Sequence, residues 1–121
     1  MLKMKCRTSR EWTMLNDPRT QSFYNARAKI IKALAHPTRL FIADQLSTGE
    51  KCVCELTEMI GADVSTVSRH LSVLKSSGII SDDKRGLNVY YTLRTPCVLN
   101  FLGCVEEVIQ TNLDEQANPA G

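Results

Sequence analysis

Long apolar runs are absent from this sequence, since no stretch approaches the roughly 18 to 20 apolar residues of a membrane-spanning helix. The cationic residues between Met1 and Arg10 are not followed by the apolar segment of an export signal. We therefore expect a cytoplasmic protein with no membrane partner. The chain is also short, with 121 residues of which 43% are hydrophobic. It supports one modest core, which excludes a two-domain enzyme.

Histidine is scarce, because His36 and His70 are the only two in the chain. This scarcity argues against a zinc or nickel site built on histidines. Cysteine occurs five times, an odd number in a chain without an export signal, which argues against a structural disulfide framework. Metal binding and thiol chemistry stay open for Cys6, Cys52, Cys54, Cys97 and Cys104.

Charge is distributed unevenly along the chain. Residues 1–39 contain nine Lys or Arg residues against Glu11 and Asp17, whereas the segment from Pro96 onward contains four acidic residues and no basic one. This asymmetry favours an anionic partner for part of the surface, although a solvated basic helix face gives the same pattern.

Hydrophobic spacing divides the chain into a loose arm (1–19), one folded domain (20–112) and a frayed tail (113–121). Within the domain we predict helices over 20–36, 37–46, 54–60 and 64–77, and a last helix that opens at Pro96. Pro37, Asp63 and Gly78 supply helix boundaries. Residues 79–81 and 88–93 are predicted to pair as a β-hairpin around a turn at 82–86. The fold class is mainly α with one hairpin, in the order α-α-α-α-β-β-α.

The third and fourth helices and the hairpin have the pattern of a winged helix-turn-helix, because a three-residue turn containing Gly61 joins the two helices. The fourth helix has one apolar side, formed by Val64, Val67, Leu71 and Leu74. Its other side presents small hydroxyls that let the backbone approach a DNA groove, and an arginine that can bond a guanine edge or a phosphate. The candidate DNA contacts are Ser65, Thr66, Ser68, Arg69 and Ser72. A solvated amphipathic helix is the alternative, and we expect His70 to be packed rather than to contact a base.

The tip of the predicted hairpin carries two cations. Lys84 and Arg85 precede Gly86, which permits a tight turn, so both lie where a phosphate backbone would pass. They are therefore candidate DNA contacts. Asp82 and Asp83 beside them argue mildly against this role.

Three segments taken together resemble a known family. Residues 33–40 read Ala-Leu-Ala-His-Pro-Thr-Arg-Leu, 52–56 read Cys-Val-Cys-Glu-Leu, and 67–80 read Val-Ser-Arg-His-Leu-Ser-Val-Leu-Lys-Ser-Ser-Gly-Ile-Ile. In this order they resemble the ArsR/SmtB family of bacterial metal-responsive repressors. The resemblance implies a homodimer, formed by the first and last helices, that places its two fourth helices in successive major grooves of double-stranded operator DNA. It also implies that the protein binds DNA without a cofactor and is released by a thiophilic metal ion.

The last helix supports a dimer independently of this resemblance. The apolar residues within a stretch of twelve include Val98, Phe101, Leu102, Val105, Val108 and Ile109. This is too apolar for a lone surface helix, so part of that surface needs a partner.

Cys52 and Cys54 stand one residue apart at the start of the third helix. On a regular helix they point about 200° apart, so both reach one ion only if the first turn is irregular. Thiolates select soft ions, and we expect As(III) as the inducer, with Sb(III), Cd(II) or Pb(II) as alternatives. An ion held by both sulfurs would strain the helix that supports the fourth helix and weaken DNA binding. Burial as two small hydrophobic residues is the plainer interpretation.

The third metal ligand is open. Relatives that sense arsenite carry another cysteine three residues after the second, whereas this chain has Thr57 there. We favour Cys6, because the arm could reach the third helix as in the cadmium- and lead-responsive branch of the family. That branch usually has a second arm cysteine, which this arm lacks. Cys104 or Cys97 is the alternative ligand, and apolar packing at the dimer interface is the simpler role for both.

Two other classes of function compete with a metal-responsive repressor. A repressor of the same fold could sense oxidation, by a bridge between Cys52 or Cys54 and another cysteine. A small thiol enzyme would need an anion-cradling loop, and the surroundings of Cys52 lack the glycine or arginine residues of such a loop. We therefore expect no enzyme.

Overall fold

The computed structural model describes residues 14–117, which form five helices and a three-stranded antiparallel sheet. The helices are α1 (Pro18–Leu34), α2 (Pro37–Leu46), α3 (Val53–Ile60), α4 (Val64–Ser76) and α5 (Val98–Ala117), and the strands are β1 (Lys51–Cys52), β2 (Ile80–Arg85) and β3 (Asn88–Leu93). A short 3₁₀ turn, Met14–Asn16, precedes α1. The predicted winged helix-turn-helix is confirmed, with β1 as an additional strand. Most of the predicted arm, including Cys6, lies outside the described residues.

Side-chain caps determine where the helices start. Asp17 Oδ2 accepts a hydrogen bond from the Thr20 amide at 3.1 Å, and Pro18 occupies the first turn of α1, where its missing N–H removes no helical bond. For this reason α1 begins two residues before the predicted start at residue 20. His36 and Asp63 cap α2 and α4 in the same manner.

The last helix differs from its prediction at both ends. Pro96 and Cys97 form a turn ahead of it, in which the Leu99 amide donates to Pro96 O at 3.0 Å. Toward the other end, Gln110 Nε2 donates to Asp114 Oδ1 at 3.0 Å, a pairing four residues apart that stabilises helix. Residues 113–117, which we predicted to fray, are therefore helical.

The hairpin is tighter than predicted. Strands β2 and β3 pair in register from Ile80 opposite Leu93 to Arg85 opposite Asn88, which leaves a connection of two residues. The predicted turn at 82–86 is wrong, because most of that segment belongs to β2. Gly86 has a φ of 62°, the left-handed conformation that a two-residue hairpin connection requires. On the other side of β3, Cys52 of β1 lies opposite Tyr90.

The core lies where α2, α3, α4 and the sheet meet the end of α1. Its largest fully buried side chains are Ile42, Leu56, Val67, Leu71, Leu74 and Ile80. The predicted apolar side of α4 is therefore buried from Val67 onward. Val64, which we placed on that side, is 55% exposed because it lies in the first turn, next to the exposed Asp63 cap.

Helices α1 and α5 leave apolar faces uncovered. On α1 only Ala33 and Leu34 are buried, although apolar residues recur along the helix from Phe23 onward at steps of three and four. Helix α5 has no buried residue and packs on the core through Val98 and Leu99 of its first turn. The exposed apolar side chains of the two helices are Phe23, Tyr24, Ile30, Ile31, Phe101, Val105, Val108, Ile109 and Leu113. Within residues 14–117, no helix combines the length and apolar character needed to cross a lipid bilayer.

Candidate nucleic-acid interface and cysteine pair

The start of α4 is held by a hydrogen-bonded cap. Thr66 Oγ1 donates to Asp63 Oδ1 at 2.7 Å, the Thr66 amide donates to Asp63 Oδ2 at 3.2 Å, and the Ser65 hydroxyl also donates to Oδ2. The bonds from Ser65 and then Thr66 lower the pKa of Asp63 from 3.8 to about 2. The hydroxyl groups of Ser65 and Thr66, two of the predicted DNA contacts, are therefore already hydrogen-bonded to the N-cap residue Asp63.

The remaining predicted contacts on α4 differ in exposure. Arg69 and Ser72 are exposed, whereas Ser68 is half-buried. Positions 69 and 72 are three residues apart and share one face of the helix. That face is free to meet a groove or a phosphate backbone.

His70 is packed, as expected, and it joins α4 to the start of α2. Its ring lies 4.3 Å from the ring of His36, and its Nδ1 lies 3.1 Å from Arg39 Nη1. Arg39 Nε in turn donates to Ala33 O at 2.6 Å. Burial, together with the positive charges of His36, Arg39 and Arg69, lowers the pKa of His70. The neutral imidazole is the form that accepts a bond from Arg39, so the cluster favours it.

The two predicted wing cations have different surroundings. Lys84 is exposed, whereas Arg85 is bound by acidic residues: Nη2 donates to Glu50 Oε1 at 3.1 Å and Nε donates to Asp83 Oδ2 at 2.9 Å. Its guanidinium also lies 4.6 Å from the centre of the Tyr90 ring. The bonds to Glu50 and Asp83 raise the pKa of Arg85 above its ordinary value. The guanidinium of Arg85 is therefore engaged by Glu50, Asp83 and Tyr90 of its own chain.

Acidic residues of the wing are neutralised in pairs. Asp83 binds Arg85, and Asp82 Oδ2 accepts a bond from Lys75 Nζ of α4 at 2.9 Å. Each of the two carboxylates has a cation beside it, so Asp82 and Asp83 would repel a phosphate near the wing less strongly than two unpaired carboxylates.

Cys52 and Cys54 lie together at the start of α3 and are joined in a disulfide, with Cα atoms 5.3 Å apart. Cys52 is the N-cap, in an extended conformation outside the helix, so the 200° separation expected for two helical positions does not apply. The Glu55 amide donates to Cys52 Sγ at 3.3 Å, and the Cys52 amide donates to Glu55 Oε1 at 3.0 Å. Cys52 is buried, with 4% of its surface exposed, whereas Cys54 is exposed.

Known proteins that are similar to this chain have the same architecture. Residues 36–82 match the family described as "Bacterial regulatory protein, arsR family". The chain is 34% identical over 86 residues to an uncharacterized HTH-type transcriptional regulator of Methanocaldococcus jannaschii, covering 97% of that protein and 70% of this chain. The chain belongs to the arsR family. Members of the family are DNA-binding transcriptional regulators and not enzymes.

Two further arsR-family likenesses are informative. A cadmium resistance transcriptional regulatory protein CadC homolog of Staphylococcus aureus is 46% identical over 67 residues, which are 54% of this chain and 55% of the relative. The chain thus spans little more than half the length of the first curated relatives it matches. A solution structure of a homodimeric winged helix-turn-helix DNA-binding domain from Mycobacterium bovis has a TM-score of 0.70 and 29% identity, covering 83% of this chain and 93% of that one.

The remaining metal-ligand candidates of this arsR-family chain are not gathered with Cys52 and Cys54. Cys97 precedes α5 and Cys104 lies on it, and both are free and exposed. Among residues 14–117, no group of three His, Cys, Asp or Glu side chains is placed to hold a metal ion. Thr57, at the position of the missing third cysteine, has a buried hydroxyl without a hydrogen-bond partner in the described part of the chain.

Sequence reasoning missed two features of the site. One is the role of Glu50, which binds the wing from 35 residues away. The other is Cys52 as a cap that also belongs to strand β1. The spacing of Cys52 and Glu55 in the sequence fits a capping box, but cysteine is not among the usual cap residues.

Proposed function

We propose that this chain is a cytoplasmic, homodimeric transcriptional repressor that binds double-stranded operator DNA and is released by a thiophilic metal ion at Cys52 and Cys54. The observation that carries the proposal is the convergence of the two sulfurs at the cap of α3. This helix leads directly into the turn before α4, the element with the exposed Arg69 and Ser72 face. A change at the cap is therefore transmitted to the DNA-reading helix.

The dimer is supported by the uncovered apolar faces of α1 and α5. Nine large apolar side chains on these helices are exposed in the single chain, and exposed apolar surface of this kind is typical of an interface between subunits. A dimer places two copies of α4 on the same side, which suits a two-fold symmetric operator. DNA binding in this form needs no cofactor.

The ligand chemistry favours soft ions. As thiolates, Cys52 and Cys54 would hold As(III) as the leading inducer, and Sb(III), Cd(II) or Pb(II) as alternatives, because sulfur donors select such ions. The cadmium resistance regulator among the relatives points to the same class. The positive end of the α3 dipole stabilises negative charge on sulfur near the cap. Cys6 is the proposed third ligand, with Cys104 or Cys97 as the alternative.

Metal binding requires the reduced pair, since the disulfide holds no thiolate. In the cytoplasm thiols are kept reduced, so the dithiol is the form available to an ion. When Cys52 Sγ turns away from the Glu55 amide, that amide loses its cap and the first turn of α3 is weakened. Because Cys52 also pairs with Tyr90, the same movement disturbs the edge of the sheet that carries the wing.

A redox-responsive repressor is the second candidate, and the Cys52–Cys54 disulfide is the observation that favours it. The two thiols would lose two protons and two electrons to an oxidant such as hydrogen peroxide, which is reduced to two waters as one S–S bond forms. The sequence predicted a bridge from Cys52 or Cys54 to another cysteine without naming it, and in this candidate each is the partner of the other.

One titration separates the two candidates. Fluorescence anisotropy of the reduced dimer on its own upstream DNA is measured with As(III), Cd(II), Zn(II) and peroxide. We expect As(III) to release the wild type, and C52S and C54S to bind DNA but resist release. C97S and C104S test the alternative third ligand, and a wild-type response in both variants leaves Cys6. Release by peroxide alone selects the redox candidate, and release by As(III) in both single variants moves the site away from Cys52 and Cys54.

A further inference from the structure

A basic cleft lies between α1 and α4, beside the face proposed to meet DNA. It has a volume of about 380 Å³ and is lined by Lys29, Lys32 and Ala33 of α1, by Arg69, Ser72, Val73 and Ser76 of α4, and by Ser77. Three of these eight residues are cationic, and none carries a carboxylate. Nothing in the proposed contacts of α4 or the wing uses the two lysines.

The cleft surface itself is mostly carbon, and the charged and hydroxyl groups of its lining residues fit an anion with several oxygens at the rim. Lysines and an arginine neutralise negative charge, and serine hydroxyls donate single hydrogen bonds to the same group. Lys29 and Lys32 are three residues apart and so project from one face of α1, and both are exposed. A phosphate group is the common biological anion that uses this set of donors.

Hydrogen bonds of Arg39 connect α1 and α4, the two helices that form the cleft. Arg39 bonds the end of α1 twice, with Nε on Ala33 O at 2.6 Å and Nη2 on Lys32 O at 3.4 Å. The same guanidinium reaches His70 of α4 at 3.1 Å. The backbone that carries the lysines is therefore set relative to Arg69 before any ligand arrives, which lowers the ordering cost of binding.

We propose that this cleft binds a phosphate of the DNA backbone at the edge of the groove that α4 enters, which makes Lys29 and Lys32 part of the DNA interface. The inference rests on the proposed DNA-binding function. Backbone phosphate fits better than a free small anion, because Arg69 and Ser72 belong both to the cleft and to the exposed face of α4. A strand running along that face passes over the lysines.

The test measures salt dependence as well as affinity. K29A, K32A and the double variant are compared with R19A, which removes an exposed charge from the same helix ten residues earlier and outside the cleft. Anisotropy is recorded on the upstream duplex and on a random duplex between 50 and 200 mM salt. Neutralising one phosphate contributes about 0.9 to the slope of log K against log salt. We expect the double variant to lose about 2 from the slope of the dimer, equally on both duplexes, and R19A to lose nothing.

The outcomes separate this inference from the function on which it rests. If the wild type binds neither duplex, the DNA-binding function fails. If the wild type binds and the double variant keeps its slope, only the cleft proposal fails. Inorganic phosphate is then added to the protein, and NMR chemical shifts of the Ala33 and Ser72 amides are recorded. If these shifts change while the double variant still binds DNA as the wild type does, the cleft binds a free anion and the proposal is overturned. Each variant replaces a helical side chain by alanine, the residue with the highest helix propensity, so we expect α1 to stay folded.

Discussion

Glu50 binds Arg85, and through this contact the segment that leads to the cysteine pair holds the wing. Arg85 Nη2 lies 3.1 Å from Glu50 Oε1 although the residues are 35 positions apart. Glu50 stands one residue before β1, and β1 ends in Cys52, the cap of α3. A displacement of Cys52 therefore acts on both elements that we propose to meet DNA, on α4 through α3 and on the wing through Glu50.

Replacing Glu50 by glutamine should strengthen DNA binding. The variant removes the charge that competes with phosphate for Arg85, so we expect up to about a fivefold rise in affinity and a steeper salt dependence. Anisotropy on operator and random duplexes measures both. Glu58→Gln is the matched control, since Glu58 is exposed on the neighbouring α3. Equal affinities for E50Q and the wild type would show that Glu50 does not restrain Arg85.

Helix boundaries were predictable from local chemistry. Pro37, Asp63 and Gly78 act through the few residues around them, and the structure has helix ends at each of these positions. The apolar spacing of α4 likewise identified its buried side from Val67 onward, because burial at steps of three and four follows from helix geometry.

Features that depend on distant parts of the chain were not predictable. Strand β1 has two residues and no pattern of its own, and it exists because β3 offers an edge. The approach of Cys52 to Cys54 depends on the extended conformation that this pairing imposes. The apolar spacing from Phe23 onward correctly predicted the helix α1. Periodicity does not tell whether the surface that buries the apolar face of a helix belongs to the same chain or to another one.

The stability of the fold should fall in mild acid because of His70. Its folded pKa is lowered, so the unfolded state binds more protons between that value and 6.5. The contribution is complete above pH 6.5 and is lost as pH falls through the folded pKa. Urea unfolding at pH 7.5, 6.5 and 5.5 measures this, with His70→Asn as the variant that keeps an acceptor for Arg39 and does not titrate. A wild-type decline as shallow as that of H70N would contradict the prediction.

Leu71 anchors α4 in the core, since none of its surface is exposed. Leu71→Ala removes buried methyl groups and leaves a cavity, so we expect a loss of about 2–5 kcal/mol in the free energy of unfolding. Val64→Ala, at a residue that is 55% exposed on the same helix, should cost much less. Urea unfolding at one fixed protein concentration compares them, because dimer stability depends on concentration. Similar losses in the two variants would contradict the assigned burial.

Arg69 should contribute to sequence recognition as well as to phosphate binding. We expect Arg69→Ala to weaken operator binding by roughly 1 to 3 kcal/mol, and random duplex by less. Arg19→Ala is the control, because Arg19 is an exposed cation on α1 that lies outside the cleft and has no proposed DNA contact. Equal losses of affinity on both duplexes would mean that Arg69 contacts only phosphate. The proposed phosphate site in the cleft would then stand, and the proposed contact of Arg69 with a base would be wrong.

The apolar face of α5 should be required for the dimer and, through it, for DNA affinity. Val108 is 60% exposed in the single chain, and Val108→Glu places a charge where we expect it to be buried between subunits. Sedimentation velocity at micromolar concentration should show a monomer. DNA affinity should fall by more than tenfold, because the two half-sites are no longer bound by one particle. Leu87→Glu is a control for assembly alone, since Leu87 is fully exposed at the hairpin connection. A charge there leaves the dimer unchanged, whereas it lowers DNA affinity by repelling phosphate from the wing. A dimeric V108E would mean that the uncovered face of α5 is not the contact between subunits.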